Sequence, residues 1–445
     1  MSTRNPSISK GIDWIMIWLY IALVAIGILS IFSVTYREGE NIIDGFFRMQ
    51  GDYGKQLLFF GISLFIGMAI LLTDSKFFTA TANIWYAFGM ILLLLVFPLH
   101  TEVKGTESII RFGGFQLQPA DVMKIFANLA LAKYISRIET DFSKTKSHLI
   151  AAAIVVVPAL ITIMQKETGL ALVFFAFFLV MFREGLPAGY LIVGFSFAAL
   201  VVATLVLEKY LLAGILTAIM LIAVYLMRRQ IKRKRTVLFR IVAIWLICVS
   251  VQLFAVPFLF TSVLQKHQVT RIFSLIGKEN PYEKLNTVEG EEVVVKRPTD
   301  PDYNVRQSKI AIGSGGFTGQ GFLKGTQTRF DFVPEQRTDF IFCTIGEGFG
   351  FVGSVIFLSL YAFLLLRIVF IAERQRSMFS RCYAYGVASV LFFHITINIC
   401  MTIGLMPVIG IPLPFISYGG TSLLTFSIML FIMIRLDADR QMILR

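Results

Sequence analysis

Read from its first residue, the chain alternates apolar stretches of roughly membrane-crossing length with short polar breaks, and only one polar interval is long. A hydrocarbon core of roughly 30 Å takes about 20 apolar residues per helix, and in lipid only a helix satisfies its own backbone over such a length. On that measure the pattern predicts helices near Trp14–Val34, Leu57–Leu72, Ile84–Pro98, Pro119–Tyr134, Leu149–Ile163 and Leu170–Phe182. Thr35–Gln56 and Leu99–Gln118 then become outer connections, and Met164 to Gly169 a tight outer turn. Further helices are expected near Gly189–Leu207, Leu211–Met227, Val237–Phe260, Ile341–Phe370, Tyr383–Cys400 and Ser422–Ile434. The fold expected is an all-α polytopic integral membrane protein, a bundle of about twelve transmembrane helices in one domain, 1–445. The polar segment 261–339 interrupts it once. No internal repeat is strong enough to indicate an inverted-repeat transporter.

Composition narrows the class. With 56% hydrophobic residues, 43 Phe and a mean hydropathy of +0.74, the chain cannot be a soluble globule with a water-facing surface. A formal charge of +13 would suit nucleic acid, yet the densest basic run, Arg228-Arg229-Gln230-Ile231-Lys232-Arg233-Lys234-Arg235, lies directly between two apolar spans. Basic loops mark the cytoplasmic side of a membrane protein, so this run is a topology signal and no nucleic-acid partner is expected. Arg4 and Lys10 set the N-terminus in the cytoplasm. Parity then places the basic run inside, 261–339 outside, and the C-terminus, with Arg435, Arg440 and Arg445, inside again. Trp14, Trp18 and Trp85 read as interface anchors. Cys248, Cys343, Cys382 and Cys400 have no metal-type spacing and support neither a disulfide framework nor a zinc site. Met1 to Lys10 carries no cleavable signal.

Long loops are usually functional or disordered, and 261–339 is not low in complexity. It carries Gly313-Ser-Gly-Gly316, Gly319-Gln-Gly321 and Gly325, then Pro334-Glu335-Gln336-Arg337-Thr338-Asp339. The glycines permit tight turns and close backbone approach, but they lack the lysine and the preceding strand of a phosphate-binding loop, so a nucleotide site is not indicated. Asp300 before Pro301 has the form of a turn initiator. Glu335 and Asp339 are placed either to cap the next helix or to bind a ligand. His267 reads as a solvated loop residue and His394 as packed inside the bundle. Pro407, Pro412 and Pro414 read as helix terminators. Asp121 and Lys124, three apart on one helix face, are ionisable groups at membrane depth, a functional hypothesis by default that an ordinary intramembrane pair satisfies equally.

Two blocks carry a resemblance. One is Tyr303-Asn-Val-Arg-Gln307-Ser308-Lys309-Ile-Ala-Ile-Gly-Ser-Gly-Gly316 with Lys324-Gly-Thr-Gln327, Pro334, Thr338-Asp339-Phe340-Ile341-Phe342 and Glu347; the other is Leu405-Met-Pro-Val-Ile-Gly-Ile-Pro-Leu-Pro-Phe-Ile-Ser-Tyr-Gly-Gly420-Thr421-Ser422. Both resemble the SEDS family (shape, elongation, division, sporulation), its rod-shape branch more than its division branch. The resemblance implies a peptidoglycan glycosyltransferase of the bacterial cytoplasmic membrane that polymerises lipid II, as donor and acceptor, on the outer face. It implies work beside a class B penicillin-binding protein, a transpeptidase, and other elongation-complex membrane proteins. The essential carboxylate it implies falls on Asp300, with Asp302 as rival because the stretch between Asp-Pro and Tyr303 is shortened to Asp302 alone. It further points to Lys55, Gln56, Asp121, Lys124, Glu167, Gln307, Ser308, Lys324, Glu335, Thr338 and Asp339 as substrate-binding. It leaves room for a divalent cation, magnesium or manganese, at the diphosphate without requiring one.

One carboxylate suffices for that chemistry. The acceptor hydroxyl must lose its proton as it attacks the anomeric carbon with inversion, while the diphosphate leaves as an already stable anion, so a base is needed and an acid is not. Glycosidases pair two carboxyls because their leaving group is poor. Cations must neutralise the diphosphate, and Lys55, Lys124, Lys324, Arg329 and Arg337 are candidates. A flippase for the same lipid-linked precursor is the alternative function, and a scaffold that only positions a partner enzyme is a weaker one. Three departures from the family pattern stand out. Ile109 occupies the place of an aromatic, Gln165-Lys166-Glu167-Thr168-Gly169 loses a proline and lengthens an acid, and about twelve spans exceed the family's ten-helix core. The surplus is assigned to a helix pair inserted within 189–260, whose basic run suits a cytoplasmic contact or anionic lipid.

Overall fold

The computed structural model of the chain describes residues 11–36, 51–103, 106–112, 115–264, 269–270, 272–273 and 303–440. The helices, in order, are α1 Trp14–Thr35, α2 Asp52–Leu72, α3 Ser75–Leu99, α4 Pro119–Ile135, α5 Thr145–Met164, α6 Thr168–Phe174, α7 Phe177–Arg183, α8 Ala188–Val206, α9 Lys209–Leu226, α10 Arg228–Arg233 and α11 Thr236–Ser250. After them come α12 Tyr303–Ser314, α13 Thr326–Arg329, α14 Ile341–Glu373, α15 Met378–Thr402 and α16 Gly420–Ala438. Among the described residues ten helices are long and apolar enough to cross a membrane. The expected count of about twelve is not confirmed. The other two expected crossings fall on shorter helices: α4, with 17 residues and a buried Asp–Lys pair, and the Thr168–Arg183 stretch, which breaks into α6 and α7.

The connection expected at 99–118 is a small antiparallel sheet, β1 Thr101–Val103, β2 Thr106–Phe112 and β3 Phe115–Leu117, in the order β1-β2-β3. In the second pairing Ile110 faces Leu117, Arg111 faces Gln116 and Phe112 faces Phe115.

Chain compactness divides the molecule into two units, residues 1–186 with 304–445, and Pro187–Tyr303. In the first, α16 is central: 89% of its most apolar stretch is buried, against 22% for α2 and α3. It packs on α2, while α3 and α15 pack on α4, and α14 on α1 and α15. A helix apolar all round belongs in such a position. Met16, Tyr20, Leu23, Tyr361, Tyr383, Phe415 and Phe426 fill the interior.

In the second unit, α9 and α11 pair side by side and α10 joins them. Only 6% of the apolar stretches of α8 and α9 is buried, so their apolar faces suit lipid. Trp245 donates to Thr217 at 3.3 Å and Gln252 to the Lys209 carbonyl at 2.7 Å. Beyond α11 the chain continues as π-helical turns, Val251–Ala255 and Leu259–Val263, around Val256–Phe258.

One kink shapes the first unit. Within α14, Gly350 adopts φ 64°, which an L side chain rarely takes, and a Cβ there would also run into Gly319 N. The helical hydrogen bonds broken at the kink are replaced from the glycine-rich segment. Phe351 N donates to Gly316 O at 2.9 Å and Val352 N to Phe317 O at 3.1 Å, while Gln320 N and Gly321 N donate to Glu347 O and Gly348 O. Buried backbone groups need such partners, and the glycines of 313–325 let the two stretches approach closely enough to supply them.

Candidate functional site

Asp300 and Asp302, the expected base and its rival, lie outside the described residues, as does His267. The helix that follows them is anchored from below. Ser308 of α12 is fully buried and donates to the Thr402 carbonyl at 2.6 Å, so the Cys343 thiol, 2.8 Å away, is the donor to Ser308 Oγ. Gln307 beside it is half-buried, and Lys324 is exposed.

The two sequence blocks meet in space. Tyr418 N donates to Arg337 O at 2.8 Å and Ser417 Oγ to Thr338 O at 2.6 Å, while Asn398 Nδ2 donates to Asp339 O at 2.8 Å and to Ile411 O at 2.7 Å. Gln56 closes the same segment from α2, donating to Ser417 O at 3.2 Å and accepting from Gly419 N at 3.3 Å. Both ends of its amide therefore hold main chain. Asp52, one turn earlier, accepts from Arg337 at 2.8 Å and lies 3.8 Å from Lys55, itself half-exposed. Burial, and then the Asp52 carboxylate, push the Tyr418 phenol up to about 12.

Glu335 has φ 55° and accepts from the Thr338 hydroxyl at 3.2 Å. The N-cap position of α14 is occupied by Phe340, whose side chain makes no capping hydrogen bond, and not by Glu335 or Asp339. The carboxylate that closes this region is Glu347, fully buried, which accepts from Gln327 N, Thr328 N and Thr328 Oγ1 at 2.7 to 2.9 Å.

The remaining candidates converge on the second block from other sides. Glu167 accepts from Ser108 at 2.7 Å and from Gln118 at 3.3 Å. Two residues on, Gly169 is pressed so closely on Ile409 that a Cβ would strike its carbonyl. Thr421 donates to Gln116 O at 2.6 Å. Deeper, Lys124 donates to Asp121 at 2.6 Å and lies 2.9 Å from His394 Nε2 and 5.2 Å from the Phe426 ring centre, and His394 Nδ1 lies 3.1 Å from Pro412 O. Asp121, Lys124 and His394 are all buried. The pair expected from spacing is thus present, with a third member that spacing did not reveal. Among the described residues no three His, Cys, Asp or Glu side chains are grouped to hold a metal ion.

Sequence reasoning did not single out Asp52, Asn398 or Ser417, and it read His394 as packed inside the bundle, as its burial shows, without its Lys124 partner. A signal for two of them existed: His394, Asn398 and Thr402 recur every four residues along α15 and are all buried, a polar stripe facing inward.

Residues 13–240 and 213–442 match the family FTSW_RODA_SPOVE, described as cell cycle protein. The peptidoglycan glycosyltransferase RodA of Treponema pallidum is 29% identical over 93% of this chain and 94% of its own length. The peptidoglycan glycosyltransferase MrdB of Escherichia coli K12 is 27% identical over 97% of this chain and 95% of its own. Among solved structures, a chain from work on structural coordination of polymerization and crosslinking by a peptidoglycan synthase complex superposes with a TM-score of 0.65 at 22% identity, covering 96% of this chain and 98% of that one. The Thermus thermophilus rod shape determining protein RodA superposes with a TM-score of 0.60 at 21% identity, covering 96% and 97%. At these identities the superpositions establish the fold.

Proposed function

The chain belongs to the FTSW_RODA_SPOVE family and is a multi-pass membrane peptidoglycan glycosyltransferase serving cell elongation, and we propose that it polymerises lipid II by single displacement with Asp300 as base. The acceptor hydroxyl gives its proton to Asp300 as it attacks the anomeric carbon, and the lipid diphosphate departs unprotonated. Lys55, Lys324 and Arg337 are the cations that receive it. The site faces the outside of the cytoplasmic membrane, both termini lie inside, and an added helix pair lies within residues 189–260.

The observation that carries this reading is that Leu405–Ser422 is the meeting point of the other candidates. It touches Gln56, the 337–339 turn, Gly169 beside Glu167, Gln116 beside Gln118, and, through Pro412 and His394, Lys124. Residues spread over the whole chain are held to one segment, as a site that must orient two large lipid-linked sugars requires. The partner is a class B penicillin-binding protein, a reading supported by a structural neighbour that comes from a peptidoglycan synthase complex.

The test is to purify the chain with that partner, supply labelled lipid II and look for glycan polymer. Polymer is expected. Its absence together with movement of labelled lipid II across proteoliposomes that hold this chain would transfer the assignment to a flippase.

A further inference from the structure

The buried cluster around Lys124 has one hydrogen-bonding arrangement that leaves no two donors facing each other while its Asp–Lys pair stays ionised. Pro412 O can only accept, so the proton of the His394 ring sits on Nδ1, 3.1 Å away. A neutral ring then presents a bare Nε2 to Lys124 Nζ at 2.9 Å, and the ammonium donates there and to Asp121. An imidazolium would set N–H against N–H across that distance. This tautomer is assigned from the partners.

The third side of Lys124 is closed by Phe426. Its ring centre lies 5.2 Å from Nζ and 4.8 Å from that of His394, nearly perpendicular to it. With no exposed surface and its donors turned to a carboxylate, an imidazole and an aromatic face, Lys124 has none left for a diphosphate. What the cluster does reach is Pro412, in the segment that holds the rest of the site. Asn398, one turn along α15 from His394, grips the neighbouring Ile411 O together with Asp339 O, and Ser417, five residues past Pro412, grips Thr338 O.

We infer that His394 is a positioning residue: a neutral Nδ1–H imidazole that accepts from Lys124 and, by donating to Pro412 O, fixes the Leu405–Ser422 segment relative to the Arg337–Asp339 turn. Lys124 then serves the reaction through His394 and not by touching the diphosphate. This rests on the polymerase reading for its consequence in turnover, but not for the protonation state. The charged group facing the ring is Lys124 from α4, itself paired with Asp121; α16 contributes the Phe426 ring and the segment after α15 the Pro412 carbonyl.

The first measurement is ¹⁵N solid-state NMR of the full chain, histidine-labelled and reconstituted in lipid vesicles. Of four His in the chain, His394 is assigned as the signal lost in His394→Gln. A neutral Nδ1–H pattern unchanged between about pH 6 and 8, where an ordinary histidine titrates, is expected. An Nε2–H or imidazolium pattern overturns the inference.

The second measurement separates the two contacts in the complex with the transpeptidase. His394→Gln keeps an acceptor for Lys124 and loses the donor to Pro412; His394→Asn does the reverse. Each is expected to lower kcat by about tenfold to a hundredfold per folded molecule, as a misplaced site does, with KM for lipid II nearly unchanged, and His394→Phe by at least as much. Folded fraction is taken from thermal unfolding of each variant. Wild-type kcat in both Gln and Asn variants, or a loss that only tracks folded fraction, refutes the positioning role. If the wild type itself makes no polymer, the polymerase reading fails and the NMR pattern alone decides the inference.

Discussion

The two ends of the first unit use the same residue types to opposite effect. Where α1 begins and α14 and α16 finish, charge meets charge. Arg367 and Arg374 converge on Asp13 at 2.7 and 2.9 Å, Arg374, Gln375 and Arg440 converge on Asp437, and Arg381 meets Glu184 at 2.7 Å. Where α2, α14 and α16 begin, the side chains mostly hold main chain: Gln56 the 417–419 stretch, Ser417 and Asn398 the 337–339 turn, Glu347 two amides. Ion pairs with buried carboxylates lock helix ends to one another. Hydrogen bonds to backbone shape a segment and leave cations such as Lys55 and Lys324 turned outward. The first end resembles a clamp and the second a working surface, so substitutions at the two should divide stability from turnover.

The largest effect is expected at the proposed base, which lies outside the described residues. Asp300→Ala is expected to reduce polymerisation of labelled lipid II by about 10²- to 10⁴-fold, the ordinary range for a lost general base, with thermal unfolding unchanged. Asp302→Ala is expected to cost far less. If polymer persists with Asp300→Ala and disappears with Asp302→Ala, the base is Asp302.

At the clamp the expectation reverses. Asp437 is fully buried and receives two arginines and Gln375, so Asp437→Ala removes their shared acceptor, leaves Arg374 only Asp13, and should destabilise by about 2–3 kcal/mol. Turnover per folded molecule should not change. Thermal unfolding in detergent, followed by polymerisation at matched folded concentration, checks both halves, and an equal loss of specific activity would erase the distinction between the ends.

Legibility followed the same divide. Helices were readable wherever apolar length alone defines them, and α4 was found although Asp121 and Lys124 interrupt it, because one buried pair does not break the pattern of its neighbours. The sheet at 101–117 was not found: it is short, and its strands were masked by the expectation of an outer connection. Nor was the break between α6 and α7. Residue types in the site were legible from motif, but partners were not. Gln56 and Ser308 look like substrate ligands in sequence and in space hold Ser417 and Thr402 main chain, contacts separated by 361 and 94 residues. His394 meets Lys124 across 270 residues, a pairing that no local pattern encodes.

Gln56 sharpens the comparison with a middle-sized effect. Gln56→Leu removes the partner of a buried carbonyl, Ser417 O, and of Gly419 N, for an expected loss of about 1–3 kcal/mol. Because those groups shape the working surface, kcat should fall further than the folded fraction does. Measured together, a fall in kcat no larger than the fall in folded protein would move Gln56 to the clamp's side of the divide.

The smallest effect is a pH dependence at the clamp. Burial resists ionisation of Asp13, but the Arg367 guanidinium, the Met16 N–H and then Arg374 outweigh it and hold the carboxyl below its ordinary value of 3.8. A carboxyl lowered by folding binds its proton more readily in the unfolded chain, so its stabilising contribution is present above the unfolded value and is lost as pH falls through the folded one. Thermal stability in detergent should therefore lose this contribution only below about pH 4, and Asp13→Asn should flatten that part of the decline. A decline equally steep in Asp13→Asn would assign the acid lability to other carboxylates. The hold of α1 on α14 would then rest on the packing between them, and the clamp would be a matter of shape more than of charge.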